Sequence, residues 1–144
     1  MNLIPLIGLS LNDPQIVELL EQYEVDVVYD FDRLFENQPD KYWAHLYSRG
    51  LLLRFNAQQC LDTIFVYIRP TNEYAAYPVE ELEVEVFASL DAAREFAKSK
   101  NSDFTVSSGK EGVPEWIRFS HPTCHVHYQF SPKGLSLVTI MSFE

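Results

Sequence analysis

Residues 50–68 read GLLLRFNAQQCLDTIFVYI, and the choice of fold turns on them. Two runs rich in β-formers flank a short polar segment from Asn56 to Gln59. That pattern predicts an antiparallel hairpin with a loop of about four residues. The second run, Leu61 to Ile68, is apolar on both faces apart from Asp62 and Thr63. A strand of that kind is expected at the centre of its sheet, with cover on both sides.

Just upstream, YWAHLYSRG leads into the first hairpin arm as a strand or an irregular segment. Before it, VDVVYDF alternates: Val25, Val27, Tyr29 and Phe31 on one side, Asp26, Asp30 and Asp32 with Val28 on the other. The reading is a half-buried strand with an acidic outer side. Residues 33–41, broken by Pro39, read as a loop or a short helical turn. Near the start, Asn12-Asp13-Pro14 supplies a capping side chain followed by a first-turn proline, whose missing N–H costs nothing there. Ile16, Val17, Leu19, Leu20 and Tyr23 then recur with helical spacing, so a helix is predicted over 13–23.

Downstream, RPTNEYAAYP carries two prolines and reads as a loop with exposed tyrosines, Tyr74 and Tyr77 among them. EELEVEVF alternates again, with Leu82, Val84 and Val86 opposite Glu81, Glu83 and Glu85, and predicts a strand. Ser89 caps a second helix to about Lys100, striped by Leu90, Ala93, Phe96 and Ala97. DFTV, within 101–114, is a short strand or a surface loop. WIRF then leads through His121-Pro122 into CHVHYQF, turns at Ser131-Pro132-Lys133-Gly134, and ends in LSLVTIMSF. The expectation is one α+β domain over 1–144: a single antiparallel sheet built from hairpins, with two helices packed on it.

The chain has 144 residues, 47% of them hydrophobic, and a net charge of −10. Residues 1–95 hold 17 acidic and 6 basic side chains; residues 96–144 hold 4 and 5. Such acidity opposes binding to nucleic acid or to an anionic membrane and attracts a basic partner. It also serves plain solubility. The apolar start MNLIPLIGLSL lacks the basic residues and cleavage site of a signal peptide. Cys60 and Cys124 read as reduced core thiols in the cytosol, with a disulfide or a reactive thiol as the alternatives.

His125 and His127 share a strand face roughly 6.8 Å apart, with His121 just before them. Two imidazoles so spaced can bind zinc if a carboxylate or a third histidine joins, but alternation with one wet face is the plainer explanation. Glu81, Glu83 and Glu85 place three carboxylates in a row, a repulsion that a cationic partner, a metal, or Arg54 and Arg69 could offset. A solvated edge that deters aggregation is the plainer explanation. There is no G-x-S-x-G, P-loop, Rossmann glycine pattern or H-E-x-x-H. The pattern points to a binding protein rather than an enzyme, and it implies no cofactor.

The order of IGLSLNDPQIVELL, SRGLLLRFNAQQCLDTIFVYI, YAAYP, VEVFASLDAAREFAKSK, WIRF and CHVHYQF–SPKG–LSLVTIM resembles small bacterial immunity proteins of polymorphic or contact-dependent toxin systems. The chain departs from that pattern at Val79-Glu80-Glu81-Leu82 and at KSKNSDF, where glycine is expected. The resemblance implies a cytoplasmic inhibitor that occludes a cognate toxin, many such toxins being nucleases with basic clefts. Candidate contacts are Glu81, Glu83 and Glu85, then Asp26, Asp30 and Asp32, with Tyr74 and Tyr77 as aromatic anchors. A homodimer joined through a strand edge is the competing expectation, and a small metal-binding protein or enzyme at the histidine strand is a further one.

Overall fold

The structure, a computed structural model, describes residues 2–30 and 39–143. Its elements are α1 (Pro14–Gln22), β1 (Asp26–Asp30), β2 (Lys41–Leu46), β3 (Leu51–Phe55), β4 (Leu61–Tyr67), α2 (Leu90–Ser99), β5 (Phe104–Val106), β6 (Glu115–Ser120), β7 (His125–Ser131) and β8 (Gly134–Met141). The strands form one antiparallel sheet in the order β1-β2-β3-β4-β8-β7-β6-β5. This is the expected α+β architecture. No helix among the described residues is long and apolar enough to cross a membrane.

Local chemistry explains the parts that form as expected. Asp13 accepts a hydrogen bond from the Gln15 N–H at 2.9 Å, and Pro14 occupies the first turn of α1. Ser89 accepts from the Ala92 N–H at 3.1 Å and opens α2. Each cap satisfies a donor that no earlier turn can reach. In the β3–β4 loop, Asn56 Oδ1 accepts from the N–H groups of Gln58 and Cys60, at 3.0 and 3.1 Å. At the β7–β8 turn, Gly134 takes φ +115°, which favours glycine.

β4 is central, and it joins two halves. β1 to β4 follow one another as neighbours, β5 to β8 do the same, and β4 pairs with β8 from Thr63↔Met141 to Tyr67↔Leu137. Beside that seam, Asp62 is the extra residue where Arg54 pairs with Thr63 and Phe55 with Leu61. The Arg54 Nε donates to Asp62 at 2.9 Å across this bulge.

One face of the sheet carries the core. Ala44, Leu46, Leu51, Leu53, Phe55, Ile64, Val66, Ile117, Val126, Tyr128, Val138 and Ile140 join Ile16 and Leu19 of α1 and Ala93 of α2 in one buried cluster. Both helices therefore lie on the same side. The cover expected on both faces of β4 is present on one.

Three further expectations are corrected. Residues 82–89 form no strand, although Leu82 and Val84 are half-buried and Phe87 is buried. An extended, unpaired segment also alternates its side chains, so a period of two does not prove a ladder. Val86, placed on the inner side, is exposed. β1 is exposed along its whole length rather than half-buried: it stands at the sheet edge and none of its residues joins the core cluster. Phe31 and Asp32 lie outside the described residues. Tyr74 and Tyr77, expected on the surface, are 7% and 2% exposed.

The buried tyrosines depend on a close backbone approach. The loop after β4 folds back so that the Ala75 N–H reaches the Tyr47 carbonyl at 2.8 Å and the Tyr77 N–H reaches that of Tyr67 at 2.7 Å. Gly50, at φ +74°, makes room: a Cβ there would lie 2.4 Å from the Ala75 carbonyl oxygen and 2.7 Å from the Tyr77 nitrogen. Gly8, at φ +91°, has nothing within 4 Å of such a Cβ. Gly8→Ala should therefore cost only the left-handed strain, about 1 kcal/mol. Gly50→Ala should cost at least ~2 kcal/mol, since the clash is with backbone that cannot rotate away. Urea unfolding of the two variants checks this; equal costs would mean that the loop does not need Gly50.

Candidate functional site

The second face of the sheet is built from residues one step out of phase with the core. On β4 these are Thr63, Phe65 and Tyr67. Register places Leu52 and Thr139 on either side of Phe65, and Leu137 beside Tyr67. β2 adds Trp43 and His45, opposite Arg54 and Leu52. β7 contributes His125, His127 and Gln129, opposite Met141, Thr139 and Leu137. On β6, Trp116 and Arg118 lie opposite Gln129 and His127. Apart from buried Thr63 and Thr139, these side chains are half-buried, and none belongs to the core cluster.

Aromatic groups tile this face. Trp43 stacks on Phe65 with centroids 6.5 Å apart, and Trp116 lies 5.1 Å from His127. His125 meets the exposed Phe143 edge-on at 4.8 Å. At one end the returning loop lays Tyr74 over the face. Its ring stacks on Tyr67 at 4.2 Å and packs against Tyr47 at 4.8 Å. Its hydroxyl meets His45 Nδ1 at 2.5 Å. No helix among the described residues covers the remainder. Trp, Tyr, Phe, Met and Arg with few Glu or Lys is the composition of an interface core rather than of an ordinary solvated surface.

The glutamates fare differently from their expected row. Glu81 pairs with Arg49 at 2.8 Å, and that guanidinium also lies over the rings of Tyr23 and Tyr77, at 5.4 and 5.2 Å. Glu83 turns to the N-terminal segment, where its carboxylate accepts from the N–H of Leu3 and from that of Ile4, the latter at 3.1 Å. At Glu85 the backbone carbonyl accepts from the Tyr128 hydroxyl at 2.7 Å, while the residue stays exposed. Arg54 and Arg69, considered as counter-charges, serve Asp62 and the Lys133 carbonyl instead. Three acids that looked equivalent thus stand in three different settings, and at Glu85 the contact is made by the backbone.

Asp26 and Asp30 are exposed on β1, opposite His45 and Lys41, and so border the aromatic face. Asp32 lies outside the described residues. The histidines do not converge. His125 and His127 lie on the aromatic face, whereas His121 lines a cleft on the helix side with Phe87, Phe96, Phe119 and Tyr128. That cleft encloses about 500 Å³ and is mainly apolar. Among the described residues, no group of three or more His, Cys, Asp or Glu side chains could hold a metal ion. Cys60 and Cys124 are both free thiols, and burial pushes the Cys124 thiol up.

Sequence reasoning missed Trp43, Leu52, Leu137, Met141 and the surface role of Phe65. The signal was present in FVY of β4, an apolar residue on the face opposite Ile64 and Val66.

Two predictions follow from these contacts. Glu83→Ala should destabilise the fold by ~1–2 kcal/mol by orphaning two backbone donors, whereas Glu85→Ala should stay within about 0.5 kcal/mol. Equal effects in chemical denaturation would restore the uniform row. The second concerns alkaline pH. Burial raises the phenol pKa of Tyr47, Tyr67, Tyr74, Tyr77 and Tyr128, and a hydrogen bond to Asp40 holds that of Tyr29 up at about 12. Folded values above the ordinary 10.0 mean that this stability is intact below pH 10 and is lost as pH rises through the folded values. Urea midpoints should fall steadily above pH 10. A flat profile there would contradict the buried tyrosine cluster.

Comparison with protein-family models, with curated proteins and with solved structures finds no match to this chain.

Proposed function

We propose that the chain is an immunity-type binding protein that docks its open, aromatic sheet face on a basic protein toxin and occludes it. The observation that carries this reading is β4 itself: a strand apolar on both sides, for which the described chain supplies one layer of cover. A partner supplies the second. The action is occlusion, without turnover or cofactor, in the cytoplasm of the producing cell. The resemblance to immunity proteins supplies the toxin as the class of partner.

Size and charge favour a basic partner. Eight strands at ~4.8 Å spacing and roughly 20 Å of strand length give a face of about 700 Å². A stable interface occupies about 800 Å² on each side. A second copy would bring −10 against −10, whereas a basic surface meets Asp26 and Asp30 at the edge. Tyr77 then acts behind the surface, in the core, while Tyr74 lies over one end of the face and limits it.

The test is affinity capture with this protein as bait, washed at low and then moderate salt. A single near-stoichiometric basic protein is expected. Trp43→Ala combined with Phe65→Ala should weaken its binding at least ~100-fold, since two central aromatic anchors are lost. Asp26→Lys with Asp30→Lys should mainly slow association, about tenfold, and flatten its salt dependence. Undiminished binding by a folded Trp43→Ala, Phe65→Ala variant would remove this face as the site. Recovery of bait alone, with a dimeric mass in solution, would transfer the face to a second copy.

A further inference from the structure

We propose that the β6–β7 end of the open face is a carboxylate-binding site anchored by Arg118, and that the protein docking on this face carries the carboxylate. The inference rests on the open-face reading above and adds the chemistry of one contact.

Arg118 lies between two strands, opposite Thr105 on one side and His127 on the other. It is half-buried, and Trp116, two residues earlier, shares its strand and face, its ring against His127. Two other arginines of the sheet region have their own carboxylates: Arg49 has Glu81 at 2.8 Å and Arg54 has Asp62 at 2.9 Å. Among the described residues no carboxylate pairs with Arg118. Its cross-strand neighbours are a hydroxyl and an imidazole. Asp103, which precedes β5 and whose carbonyl accepts from the Ser120 N–H, forms no ion pair with it. Burial, and then the Arg118 charge, lower the His127 pKa, so this ring is neutral at pH 7 and adds no second cation.

An unpaired guanidinium can stay on a wet surface at little cost, but covering it with apolar or basic groups is strongly unfavourable. Its planar fork suits a carboxylate, with two parallel N–H···O bonds. A partner that covers the whole face must therefore bring an acid here, even though it is basic overall. The strand order separates the two electrostatic features. β1, with Asp26 and Asp30, lies six strand spacings from β6, roughly 29 Å away. The partner is then held in one orientation, its basic side over β1 and its carboxylate over Arg118.

The probe is benzoate, an aromatic carboxylate, titrated into the isotopically labelled chain and followed by NMR. Benzamide serves as its neutral counterpart and inorganic phosphate as a generic anion. Benzoate is expected to shift the Arg118 side-chain and Trp116 indole resonances saturably in the millimolar range. Benzamide and phosphate should bind at least about fivefold more weakly. Arg118→Gln, whose remaining spectrum should show an intact fold, should abolish the benzoate response. Equal binding of benzamide, or survival of the response in Arg118→Gln, would overturn the carboxylate site while leaving the aromatic face as a docking surface. Equal binding of phosphate would make it a generic anion site, and no benzoate binding at all would overturn it outright. The Trp43→Ala, Phe65→Ala variant reads the docking surface separately.

Discussion

The pairing of β4 with β8 is the contact on which the rest of this structure depends. Each half of the sheet is assembled from neighbours in sequence, and the strand ladder that joins the two halves is the one that sets residues 63–67 beside 137–141. Such a distant pairing forms against a large loop-closure entropy, so it needs a strong reward. Burial supplies it: Ile64, Val66, Val138 and Ile140 come together at the seam and are almost wholly excluded from water. The same pairing sets Phe65 and Tyr67 beside Thr139 and Leu137 on the opposite side. The core and the exposed aromatic face are therefore two results of one register. A slip by one residue would exchange them.

What could be read from the sequence was what short-range chemistry determines. The caps Asp13 and Ser89 and the Asn56 loop rest on side chains acting within four residues of themselves, the Gly134 turn rests on glycine's freedom to take a positive φ, and each formed where expected. The alternation of β7 was also legible, because one side of a half-covered strand differs in polarity from the other. The central place of β4 followed from its apolar character, without any knowledge of its neighbours.

What could not be read depended on distant partners. The alternation of residues 81–87 is real, yet among the described residues the segment pairs with no strand. Side chains hold the segment instead, through Glu83 to the N-terminal N–H groups and through Tyr128 to the Glu85 carbonyl. YAAYP looked like surface because its tyrosines have polar tips and stand between prolines. Only Gly50, some 25 residues upstream in sequence, allows the loop to fold back and bury them. Likewise, Phe65 could be seen as apolar, but whether a helix of this chain or another molecule covers it is a matter of topology. Both helices pack on the other side.

Under the proposed function, charge and aromatic surface act over different ranges. The net charge of −10 acts at a distance, attenuated over about 8 Å at physiological salt, and it raises the rate at which a basic molecule arrives. It cannot distinguish one basic molecule from another. Discrimination requires groups that are desolvated on contact, where a mismatch leaves a cavity or an uncompensated charge. The open face carries such groups in a fixed order, from the Tyr74 cluster past Trp43 and Phe65 to Trp116 and Arg118. An acidic protein with a mainly uncharged binding face is thus consistent: the acids bring partners close, and the aromatic groups with one arginine decide which of them remain.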